Sequence, residues 1–151
     1  MASDFNGVPK VIEFNARFGD PETEVVLPRM QSDIYKVFEA VLDGKDFDIE
    51  WSPETRLGIV LAADGYPGSY PKGLPLGGLE QTEGKVFHMG TKMDGDRLVS
   101  AGGRVLMVTE AGATLAEARA KALKDARTVA ENSQGLFYRS DIGAAESRNE
   151  L

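Results

Sequence analysis

The sequence predicts an α+β fold, with a short strand and two helices over residues 1–45 and a small antiparallel sheet with one long helix over residues 46–151. Three observations carry that prediction. The apolar run Leu57-Gly58-Ile59-Val60-Leu61-Ala62-Ala63 reads as a buried strand, and Asp94-Gly95 between two strand-like segments is a hairpin signal. Ile34, Val37, Phe38, Val41 and Leu42 recur at helical spacing. Thr114-Leu115-Ala116-Glu117 has the form of a capping box, in which Thr and Glu satisfy exposed backbone donors at a helix start.

In chain order, Lys10 to Phe14 is a short buried strand, and the turn signal Asn6-Gly7 before it asks for a hairpin partner within Met1 to Phe5. Asp20-Pro21-Glu22-Thr23 reads as a helix start, with Asp20 as N-cap and Pro21 in the first helical position. Pro28 limits that helix to about two turns. A second helix starts at Ser32-Asp33 and ends at Gly44, and its apolar stripe is expected to face a core. The strand Leu57–Ala63 leads into a loop from Asp64 to Gly73. Val86 to Met93 and Asp96 to Ser100 are the hairpin strands, and Arg104 to Thr109 is another strand. The long helix turns Leu115, Ala118, Ala122, Ala126 and Val129 inward and stops near Gly135; Leu136 to Arg139 adds an edge strand. The tail from Ala144 to Leu151 is polar and expected to fray.

Composition narrows the function classes. The chain has 151 residues, enough for a sizeable core, with 42% hydrophobic and 27% charged residues, as in a globular protein. It has no cysteine, which removes disulfides and thiolate metal sites and suits a cytoplasmic setting. Net charge is −7 with no Lys/Arg block, which argues against nucleic-acid binding. No apolar run approaches the roughly 20 residues of a membrane helix, and no signal peptide is evident at the amino terminus.

Several residues suggest chemistry. On a strand, positions 13 and 15 share a face, so Glu13 and Asn15 present a carboxylate and an amide oxygen side by side. Such hard oxygen donors suit Mg²⁺, which completes its shell with water and substrate phosphates. Arg17 continues the alternation and places a cation beside that site. Taken alone, Glu-x-Asn on a strand is a weak signal, since most such pairs are a solvated face. Tyr70 and Lys72, in a Gly- and Pro-rich loop, are placed to reach a phosphate, against the alternative of an ordinary strand connection. Gly102-Gly103-Arg104 offers backbone donors and a guanidinium to an anion, or else a bulge with a surface Arg. His88, the sole histidine, reads as a packed residue on a half-buried strand.

Glu13-Phe14-Asn15-Ala16-Arg17 followed by Gly19-Asp20-Pro21-Glu22-Thr23 resembles the metal-binding strand and adjoining loop of the phosphoribosylamine–glycine ligase family of ATP-grasp enzymes. Tyr66-Pro67-Gly68, Lys85 to Lys92, Gly102 to Leu106 and Arg139 to Gly143 match further family segments in the same order. The resemblance covers the family's carboxy-terminal portion only. It implies that residues 1–45 end an ATP-grasp domain with its linker helix, and that residues 46–151 form the carboxy-terminal domain. It further implies that Glu13 and Asn15 hold Mg²⁺ or Mn²⁺, that Arg17 contacts phosphate or an acyl phosphate, and that Asp20 and Glu22 lie near the acceptor substrate.

The implied reaction joins glycine to phosphoribosylamine through a glycyl phosphate, with ATP as co-substrate. The implied partner is an amino-terminal part of the same enzyme, without which the chain is expected to be inactive and prone to self-association through exposed apolar surface. The alternative is a non-catalytic interaction or structural module derived from the same fold.

Overall fold

The computed structural model describes residues 2–3, 7–12, 14 and 16–146, and the expected fraying beyond 146 lies outside them. Eight strands and three helices follow in chain order: β1 (Ala2–Ser3), β2 (Pro9–Lys10), α1 (Thr23–Val26), α2 (Ile34–Leu42), β3 (Thr55–Ala63), β4 (Lys85–His88), β5 (Thr91–Asp94), β6 (Arg97–Ser100), β7 (Arg104–Gly112), α3 (Leu115–Asn132) and β8 (Leu136–Tyr138). The central sheet runs β4-β7-β3-β8, antiparallel throughout. Two small ribbons, β1–β2 and β5–β6, stand beside it.

The core lies between one face of this sheet and α3. Strand alternation sends Leu57, Ile59, Leu61 and Ala63 of β3 to that face, where they join Val105, Leu106 and Val108 of β7. Helix α3 answers with Ala118, Ala122, Ala126 and Val129, all with no exposed surface. Three alanines four residues apart leave no bulk on the inner stripe, so the helix lies close to the sheet. Complete burial of Ile59 or Leu61 contributes on the order of 1.5–3 kcal/mol each before entropy is counted. Thr114 caps α3 by accepting from the Glu117 N–H (3.2 Å), as its sequence requires. The Glu117 carboxylate reaches the Ala113 N–H (3.0 Å), one residue before the cap.

Two buried acids sit within this layer. Asp125 of α3 is 1% exposed and accepts from the Gly84 N–H at 2.9 Å. Burial, then the hydrogen bond and charge of Asp125, raise the Glu110 carboxyl above its ordinary value.

Asp33 caps α2 through the Tyr35 N–H (2.9 Å), and β8 pairs with β3 at the sheet edge, both as the sequence predicts. Four expectations need correction. The strand predicted from Lys10 to Phe14 is paired with β1 at Pro9–Lys10, and Val11, Ile12 and Phe14 are exposed and outside the strands among the described residues. Asp20 is not an N-cap: α1 begins at Thr23, and the Asp20 carboxylate is instead held by Arg104. The α2 stripe is not a core face, since Val37 alone is buried while Phe38, Val41 and Leu42 face outward with no sheet or helix over them among the described residues.

The fourth correction concerns the strand predicted from Val86 to Met93, which breaks at Met89-Gly90 into β4 and β5 of different sheets. There the Met89 and Gly90 N–H groups both donate to Val105 O, and Gly90 O accepts from Ala101 and Gly102. The chain crosses itself so closely that a Cβ on Gly90 would lie 2.6 Å from Arg104 O. The hairpin turn falls on Gly95-Asp96, one residue later than predicted, with Gly95 at φ +60°.

Candidate functional site

The second face of the sheet carries the site. Alternation turns Arg56, Gly58, Val60 and Ala62 of β3 away from α3, beside Met107 of β7. Helix α1 covers this face at Gly58, where an added Cβ would overlap the Met107 methyl and come within 3.0 Å of Val25 Cγ1. The turn before α1 is closed by the Thr23 N–H on Gly19 O (3.0 Å), with the Thr23 hydroxyl on the same oxygen. That turn delivers Asp20 to Arg104, which donates through Nη1 to Asp20 O (2.9 Å) and through Nη2 to Asp20 Oδ2 (3.1 Å). Two residues 84 positions apart are thus brought together, with Arg104 placed at the bulge opposite Leu61 and Ala62.

Between the turn, α1 and the sheet lies an open cavity of about 610 Å³. Its floor is aliphatic and its rim carries Glu22, Arg56, Arg104 and Arg139. Arg139 is paired with Asp141 (Nε to Oδ1, 2.9 Å), and this pairing lowers the Asp141 carboxyl below its ordinary value. At one end Tyr66 meets Tyr70 edge-on, with ring centres 6.0 Å apart and planes at 61°. Lys72 Nζ lies 5.7 Å from the Tyr70 ring centre, near enough for a cation–π contact. Gly103 lies flat against both rings, since a Cβ there would run into Tyr66.

Of the residues singled out from sequence, Glu22 and Arg104 therefore line one cavity, Asp20 is held to Arg104 beside it, and Tyr70 and Lys72 flank it through Tyr66. Arg17 is exposed on a bend and donates from Nη1 to Phe18 O (3.0 Å). Glu13 and Asn15 lie outside the described residues. Among the described residues no group of three or more His, Asp or Glu side chains is arranged to hold a metal. The Gly102 N–H is committed to Gly90 O (3.1 Å), so it is not free for an anion. His88 is exposed, with Nδ1 3.0 Å from the Thr91 hydroxyl.

Arg29 and Arg56 carry no site signal in the sequence, and Arg139 carries only its place in the Arg139–Gly143 segment. Arg56 sits one residue before the apolar run that defined β3, and a lone basic residue at a strand edge carries no local signal of what it will face. No described helix is long and apolar enough to cross a membrane.

The family profile described as "Phosphoribosylglycinamide synthetase, C domain" matches residues 56–145, which hold most of the sheet and all of α3. The chain is 55% identical over 138 residues to a phosphoribosylamine--glycine ligase of Halalkalibacterium halodurans, covering 90% of this chain and 32% of that protein. It is 47% identical over 145 residues to the Vibrio cholerae protein of the same name, covering 93% of this chain and 33% of that one. A crystal structure of the phosphoribosylamine--glycine ligase of Thermotoga maritima superposes with a TM-score of 0.74 at 33% identity, over 90% of this chain and 34% of that chain. The chain spans about a third of the length of the curated relatives it matches. On the profile match and these relatives, the chain belongs to the phosphoribosylglycinamide synthetase family, corresponding to its carboxy-terminal portion.

Proposed function

We propose that this chain supplies the carboxy-terminal third of an ATP-dependent ligase that joins glycine to 5-phosphoribosylamine through a glycyl phosphate. The observation that carries the reading is the Asp20–Arg104 contact, which fastens the turn from Gly19 to Thr23 to the family's sheet beside a ligand-sized cavity. The names of the relatives, which span three times this chain's share of length, support the reaction class.

The carboxylate of Glu13 and the amide oxygen of Asn15 are hard donors that fit Mg²⁺ or Mn²⁺. They would hold that ion, which when bound supplies charge neutralisation on ATP phosphates. Arg17 presents its exposed guanidinium to the transferring phosphoryl oxygens, where it stabilises spread negative charge. Arg104 holds Asp20 and so orients the turn from Gly19 to Thr23, and Glu22 is left at the cavity rim to position the amine acceptor. No covalent nucleophile is required, in keeping with a chain that has no cysteine.

The ATP-binding groups of this reading belong to an amino-terminal part of the same enzyme, which docks on the exposed apolar residues Phe14, Phe18, Phe38, Val41 and Leu42. The test is ADP release dependent on glycine and phosphoribosylamine, by the chain alone and mixed with a separately expressed amino-terminal two-thirds of the H. halodurans relative. The reading expects no turnover alone and turnover in the mixture. Turnover by the chain alone, or none in a mixture shown to associate, overturns it.

A further inference from the structure

A second cleft of about 530 Å³ is lined by Val25, Val26, Arg29, Trp51 and Arg56, of which Val25 and Arg56 also line the cavity described above. None of the residues matched to metal, phosphoryl or acceptor roles lines it. In a chain of net charge −7, two half-buried guanidiniums converge on this one space. Among the described residues neither forms an ion pair, and each has a buried Nε without a hydrogen-bond partner. Leaving a partly buried cation without a counter-charge is costly, so an arrangement of two asks for an anion.

The cleft is held in shape by backbone contacts. Met30 and Trp51 form an isolated antiparallel bridge, Ser52 N–H donates to Arg29 O (2.7 Å), and Gln31 N–H donates to Glu50 O (2.9 Å). Arg29 Nη2 also donates to Ser52 O (3.2 Å), which fixes its guanidinium beside Trp51. Arg56 Nη1 donates to the Thr109 hydroxyl (3.4 Å). Each arginine thus spends one terminal nitrogen on a neutral oxygen, and among the described residues its other terminal nitrogen has no hydrogen bond.

We propose that Arg29, Arg56 and Trp51 form a binding site for a phosphate monoester joined to a flat, unsaturated ring. A single carboxylate is matched by one guanidinium, whereas a phosphate monoester carries close to two charges and three terminal oxygens and engages both. The indole of Trp51, 42% exposed, supplies a face on which a ring stacks. Arg56 lines both spaces, but the ligase reading gives it no role, so this proposal stands or falls without that reading.

Trp51 is the chain's sole tryptophan, so its fluorescence reports on the cleft directly. The experiment titrates the full chain with AMP, inorganic phosphate and adenosine at low salt. A saturable change is expected with AMP at lower concentration than with phosphate, and none with adenosine. Arg29→Gln and Arg56→Gln each weaken the AMP response by about tenfold or more, while Arg97→Gln on the distant β6 leaves it unchanged. Circular dichroism confirms that the variants fold, and the wild-type titration decides the matter even where one does not. The proposal is overturned by no saturable AMP response, by an equal response to adenosine, or by full retention in both arginine variants.

Discussion

Replacing Asp125 by Asn alters how stability depends on pH. The Glu110 carboxyl is raised by burial first and by the hydrogen bond and charge of Asp125 next. Its folded pKa therefore lies above the unfolded value of about 4.3. Below that value both states hold the proton and the favourable contribution is fully present. As pH climbs through the folded pKa the native state must give up a proton beside a second buried acid, so stability falls. One group exchanging one proton sets a ceiling of about 1.4 kcal/mol per pH unit on that decline.

The exposed acids Glu80, Glu83, Glu117 and Asp141 have the opposite sense, lowered mainly by hydrogen bonds to Gln81, Lys124, Lys121 and Arg139. Their contribution is lost only as pH falls below the usual carboxylate range, so the two effects occupy different windows. Asn at position 125 retains a carbonyl oxygen for the Gly84 N–H but removes the charge. Urea unfolding followed by Trp51 fluorescence between about pH 5 and 7 tests this, in a His88→Gln background that removes the sole histidine. The wild type is expected to lose stability across that range and Asp125→Asn to lose distinctly less. A flat wild-type profile, or equal slopes, would refute the assignment of a shared acid pair.

Three further outcomes follow from the packing. Leu61→Ala, at a position with no exposed surface, costs about 2–5 kcal/mol of unfolding free energy by urea titration. Arg104→Gln removes a partly exposed ion pair and changes stability by less than about 1 kcal/mol, yet it lowers ADP release in the reconstituted mixture, because Asp20 loses its anchor. Val41→Lys with Leu42→Lys leaves the isolated chain's stability within about 0.5 kcal/mol, since both are exposed, but reduces the activity recovered on mixing.

Local rules were legible in the residues themselves. The alternation of β3, the Asp33 and Thr114 caps and the alanine stripe of α3 each depend on neighbours within one or two turns or strand steps. What sequence could not supply was long-range pairing. The apolar stripe of α2 is visible in the chain, but what lies opposite it is decided elsewhere. Asp20 satisfies every local condition for an N-cap and is drawn instead to Arg104, 84 residues away. The break at Gly90 arises from a crossing with Gly102 that leaves no periodic trace. Arg29 and Arg56 each look like isolated surface charges until the turn Leu27–Arg29 after α1 and strand β3 bring them to one cleft.

The most direct test of the ligase reading is a chimera in which this chain replaces the corresponding third of the H. halodurans relative, assayed for ADP release that depends on glycine and phosphoribosylamine. The account predicts a working chimera whose turnover collapses on Glu13→Ala or Asn15→Ala while its fold, checked by circular dichroism, is kept. A folded chimera without activity, or one indifferent to both substitutions, would contradict it.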